Sequence, residues 1–128
     1  KDIVWAWNQL LTGIPHEKLL RLARLKQQGY RLFLLSNTNP MHWNRCRDNF
    51  FTACGLRASD YFEHIFLSYE MHLAKPDVEI FNEALAVAGI NAAETIFIDD
   101  SEANCIAAEK AGISTLHETS GHRWLYEI

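Results

Sequence analysis

The side chains best suited to act together chemically are Ser36, Lys75 and the adjacent pair Asp99-Asp100. Ser36 closes the apolar run "RLFLLS" and is followed by Asn37. A hydroxyl next to the N–H groups of a helix start can donate to a phosphate oxygen. Those first N–H groups are unpaired and the helix dipole is positive there. Lys75 stands in "LAKPD", directly before a proline, which pushes it toward an extended conformation at a loop–helix boundary. From there its ammonium could neutralise a phosphate or carboxylate as a point charge. Asp99 and Asp100 end "IFIDD". At a separation of ~4 Å and an effective dielectric near ~20, two such charges repel by about 4 kcal/mol, so the pair wants a proton or a cation. A hard divalent ion, Mg²⁺ above all, suits two carboxylates with waters and a substrate phosphate. A hydroxyl, a lysine and an acid pair in that order describe a phosphoryl-transfer site. Each also has a plainer reading. Asn39 could simply cap a helix beginning at Pro40, Lys75 could face solvent, and Asp100 or Ser101 could cap the next helix while Asp99 reaches water.

These residues need elements to position them, and the chain alternates strand-like and helix-like segments. Residues 16 to 28 place Leu19, Leu22, Ala23 and Lys26 on one helical face, with Pro15 before and Gly29 after. Residues 30 to 36 form an almost wholly apolar run, as in a parallel strand covered on both faces. A second helix is expected over 41 to 54, with Trp43, Cys46, Phe50 and Phe51 at helical spacing, and a strand over 64 to 70. Pro76 opens a helix with Ile80, Phe81, Ala84, Leu85 and Ala88 as its apolar stripe. The strand 95 to 99, the helix "SEANCIAAEKA" and the short strand "STLHE" complete the series. Alternation of this kind indicates βαβ units and an open parallel sheet. Ligands of such sheets sit outside the carboxyl ends of the strands, which selects Ser36 to Asn39, the segment after Ser68, and Asp99 to Ser101.

A chain of 128 residues is one domain at most. Its net charge of −4 and lack of a basic run argue against a nucleic-acid or anionic-membrane partner. No apolar stretch approaches the ~20 residues of a membrane span, and "KDIVWAWNQLL" lacks the layout of a signal peptide. Cys46, Cys54 and Cys105 are odd in number and lack C-x-x-C spacing, as expected of reduced packing residues in a cytoplasmic protein.

The ordered set resembles the haloacid dehalogenase (HAD) superfamily, whose members carry four short motifs on a Rossmann-like core. "RLFLLSN" resembles the second motif, "AKPD" the third, and "TIFIDDSEANCIAAEKAGI" the fourth. The resemblance runs from about Pro15 to Leu116. It is closest to the branch of sugar-phosphate phosphatases similar to α-D-glucose-1-phosphate phosphatase, near the N-terminal phosphatase domain of bifunctional epoxide hydrolases. It implies a three-layer α/β/α fold and a Mg²⁺-dependent phosphatase acting on a small phosphorylated metabolite, a sugar phosphate by the branch. Ser36 Oγ and the Asn37 N–H would hold phosphoryl oxygens, and Lys75 would lie between phosphate and nucleophile. Asp100 would bind Mg²⁺ directly and Asp99 directly or through water. Asn104 would orient Lys75 or a metal-bound water.

One departure stands out: the first motif, Asp-x-Asp, occurs nowhere in the chain. In the family that motif ends the central strand, between those ending at Ser36 and Asp99, so the expected core over 16 to 128 lacks this strand. Residues 1 to 15, with Trp5, Trp7, Leu10 and Leu11, read as the end of a helical cap. An N-terminal segment of the same protein would complete the sheet and supply the nucleophilic aspartate, and these residues alone would be inactive. The alternatives are a non-catalytic HAD-like binding or regulatory module, or a phosphomutase; the acid pair disfavours a dehalogenase. His42 and Trp43 could touch a substrate, although Trp43 also suits the core.

Overall fold

The computed structural model describes residues 2–6, 16–49, 51 and 55–118. Its strands are β1 (Asp2–Ala6), β2 (Arg31–Ser36), β3 (His64–Leu67), β4 (Thr95–Asp99) and β5 (Ser114–His117). Its α-helices are α1 (His16–Gln27), α2 (Pro40–Asn49), α3 (Ala58–Tyr61), α4 (Ser68–Met71), α5 (Val78–Ala88) and α6 (Glu102–Lys110). The strands form one parallel sheet in the order β3-β2-β1-β4-β5.

Side chains of each strand alternate between two apolar layers, as the two-residue period of a strand requires. Ile3, Trp5, Leu32, Leu34 and Ile98 meet Leu19, Leu22 and Leu25 of α1, with Trp43, Phe51, Tyr61 and Phe62. Val4, Phe33, Leu35, Phe66 and Phe97 meet Ile80, Phe81 and Ala84 of α5 and Cys105, Ala107 and Ala108 of α6. The result is the expected α/β/α sandwich. Helix α1 ends where Gly29 takes up φ +94°, a conformation glycine adopts without steric cost.

The expected gap at the centre of the sheet is not there. Asp2–Ala6, read from sequence as part of a helical cap, is the central strand, with Trp5 in register with Leu34 on one side and Ile98 on the other. Unfilled, that slot would leave the edges of β2 and β4 unpaired and their side chains open to water. The successive apolar residues Ile3, Val4 and Trp5 satisfy both sides at once. Asp2–Ala6 therefore belongs to the core sheet rather than to a cap, and the rest of the expected cap segment, residues 7 to 15, lies outside the described residues.

Two smaller expectations also change. Residues 64 to 70 are not one strand: β3 stops at Leu67, which pairs with Ser36, the last residue of β2. With no further partner backbone the chain turns into α4. On α1 the third buried position is Leu25, while Lys26 is exposed and donates to the Asp60 carbonyl. Helix rotation puts the aliphatic side chain inside and leaves the ammonium in water, because a buried charge is costly. Cys46 and Cys105 are buried free thiols, and burial pushes the Cys46 thiol up to about 12; Cys54 and Phe50 lie outside the described residues.

Candidate active site

The carboxyl ends of β2 and β4 lie on either side of β1, and the loop after α4 brings Lys75 against both. Ser36 is 1% exposed, and its Oγ has no hydrogen-bond partner among the described residues. A buried hydroxyl left unpaired costs about 1–3 kcal/mol, a cost that an acceptor at this strand end would remove. Asn39, three residues on, caps α2: its Oδ1 accepts from the His42 N–H at 3.0 Å. The capped-turn reading therefore holds for Asn39, and Ser36 takes no part in the cap.

Lys75 is not a solvent lysine. Its Nζ is fully buried and donates to the Leu35 carbonyl at 3.2 Å and to Asp99 Oδ2 at 3.3 Å. Burial pushes its pKa down, while the Asp99 charge and hydrogen bond push back. Asp99, likewise buried, accepts from Asn104 Nδ2 at 2.8 Å and from the Ser101 N–H at 3.1 Å. Burial alone would raise the Asp99 carboxyl. The Lys75 ammonium and contacts with Asp100, Asn104 and Ser101 outweigh it and hold the group below its usual value. Asp99 thus does not reach water, although Ser101 does cap α6, its side chain accepting from the Asn104 N–H at 3.3 Å.

Asn104 Nδ2 and Lys75 Nζ both donate to the same oxygen, Asp99 Oδ2, so the two side chains meet at one carboxylate. Asp100 is exposed beside this pair, and its carbonyl lies 2.9 Å from His117 Nε2. No group of three His, Cys, Asp or Glu side chains arranged to hold a metal occurs among the described residues. The donor set nevertheless suits Mg²⁺, which binds through one or two carboxylates and takes its remaining oxygens from water and phosphate. Asp100 is the exposed carboxylate of the two, whereas both oxygens of the buried Asp99 accept hydrogen bonds. Trp43 is core, 6.1 Å from the Phe51 ring. Asp2, the acidic residue of β1, lies at the amino end in register with Arg31, far from Ser36.

Two contacts had no signal in the sequence. The Asn37 side chain donates from Nδ2 to the Lys75 carbonyl and accepts the Lys75 N–H at Oδ1, both at 3.0 Å. Ser68 Oγ accepts the Thr38 N–H at 2.9 Å and donates to the Thr38 carbonyl at 3.1 Å. Partners 38 and 30 positions apart leave no local spacing by which either could be read.

A profile of the haloacid dehalogenase-like hydrolases matches residues 15–112, and so spans the second and third motifs and the fourth as far as Gly112. The chain belongs to that family. Among curated HAD relatives, the D-ribitol-5-phosphate phosphatase of Bacteroides thetaiotaomicron is 29% identical over 96% of this chain and 59% of its own. A sesquiterpene phosphatase of Aspergillus oryzae is 33% identical over 82% of this chain and 51% of its own. Among solved structures, a HAD family enzyme of Bacteroides thetaiotaomicron in complex with magnesium and inorganic phosphate superposes with a TM-score of 0.85. It is 47% identical and covers 92% of this chain and 59% of its own. The chain thus spans between half and three fifths of the length of these relatives.

Proposed function

We propose that the protein carrying this HAD chain is a Mg²⁺-dependent phosphatase for a small phosphate monoester, a sugar phosphate by preference. The observation that carries this reading is the buried Ser36 hydroxyl, unpartnered among the described residues, at the same sheet end as the buried Lys75–Asp99 pair. Ser36 Oγ and the Asn37 N–H bind phosphoryl oxygens. Lys75 offsets negative charge in a desolvated setting, where a fixed charge acts most strongly. Asp100, with Asp99 beside it, holds Mg²⁺, which when bound neutralises phosphoryl charge. The nucleophile is an aspartate outside these 128 residues, which forms an aspartyl-phosphate that water then hydrolyses. The phosphatases among the relatives support this reaction class. Their substrates, a pentitol phosphate and a terpenoid, make a mixed panel of phosphate esters the appropriate assay.

In the whole protein, Asp100→Asn should abolish Mg²⁺-dependent hydrolysis of p-nitrophenyl phosphate, and full turnover by that variant would refute the site. A second reading, a non-catalytic HAD-like module, draws on the placement of Asp2, which puts the acidic side chain of β1 at the wrong end for attack. Phosphate binding without hydrolysis of any ester in the panel would favour it.

A further inference from the structure

Lys75 lies on irregular backbone between α4 and α5, where no strand ladder fixes it, yet its Nζ is threaded between a β2 carbonyl and a β4 carboxylate. Something else must set its main chain. Both hydrogen-bonding groups of the Lys75 backbone go to one side-chain amide, that of Asn37, at 3.0 Å each. An amide presents a donor and an acceptor in one plane and so mimics a neighbouring strand for a single residue. Asn37 is in turn next to Thr38, whose N–H and carbonyl are both engaged by Ser68 Oγ. The carboxyl end of β2 is thereby tied to the start of α4 on one side and to the lysine loop on the other.

We propose that the Asn37 side chain is the positioning residue for Lys75, setting where the ammonium stands relative to a phosphoryl group held at Ser36. Its kinetic consequence rests on the phosphatase reading; its structural consequence does not. A displaced charge near 1 Å out of place can cost about a hundredfold in rate. In the whole protein, Asn37→Ala should lower kcat by about tenfold to a hundredfold with KM little changed. In a Lys75→Met background the same substitution should cost nothing further, since the two act as one unit. Additive losses, or no loss from Asn37→Ala alone, would overturn the proposal. Asn37→Asp keeps the acceptor for the Lys75 N–H and serves in the same cycle if Asn37→Ala fails to fold.

A second measurement needs no catalysis. Acetylation by acetic anhydride, mapped by mass spectrometry, should spare Lys75 in the native protein and label it at least about tenfold faster in Asn37→Ala, as local opening exposes the amine. Equal protection in both would overturn the brace. Release of Lys75 in a protein that hydrolyses no phosphate ester would instead sink the phosphatase reading and leave the brace standing.

Discussion

Ser36 carries a conflict between stability and binding in a single atom. Its hydroxyl is buried and unpartnered among the described residues, so Ser36→Ala removes a desolvated group from the unliganded protein. The expected outcome is a thermal midpoint equal to or above that of the native protein, together with loss of the midpoint rise that inorganic phosphate should confer on the native protein under the proposed reading. Calorimetry with and without phosphate checks both halves. A lower midpoint would mean that the hydroxyl is already satisfied. Asn37 behaves differently: both its amide atoms are occupied, so truncating it exposes two backbone groups of Lys75.

At the scale of elements, β2 decides most of the packing. Leu32 and Leu34 face α1 while Phe33 and Leu35 face α5 and α6, so one strand anchors both layers and delivers Ser36. Leu34→Ala should destabilise by roughly 2–5 kcal/mol through lost transfer energy and an unrelaxed cavity. Urea unfolding reads this directly; a loss below about 1 kcal/mol would show that the layer can collapse around the gap. Solvent-facing Leu20 of α1, 52% exposed, provides the contrast, since its truncation should move the midpoint little.

At the scale of the molecule, β1 completes the sheet without bringing a carboxylate to the site: Asp2 is at its amino end, paired across the sheet with Arg31. Among the described residues the site accordingly holds the hydroxyl and ammonium that the proposed reaction uses to bind and neutralise a phosphoryl group, and β1 brings no carboxylate beside Ser36. Purified 128-residue chain should therefore show no turnover of p-nitrophenyl phosphate with Mg²⁺ present. Measurable turnover, abolished by Lys75→Met, would place the nucleophile within these residues. No helix of the described residues is long and apolar enough to cross a membrane.

The sequence by itself determined most of the alternation of elements from residue 16 onward, most of the faces they bury, and that Ser36 and Asp99 close buried strands. Apolar periodicity and the proline and glycine boundaries are local signals, and they were legible for that reason. Only the tertiary structure decided that Lys75 is buried against Asp99, that Asn104 grips the same carboxylate, and that Asn37 holds the Lys75 backbone. The two Lys75 contacts join residues 24 and 38 positions apart, which no local pattern records, and the Asn104 contact depends on how the turn between β4 and α6 folds. The same holds for Asp2–Ala6. Its residue types are compatible with helix or strand, and its state follows from the two unpaired strands on either side, whose exposed edges and apolar faces favour a strand between them.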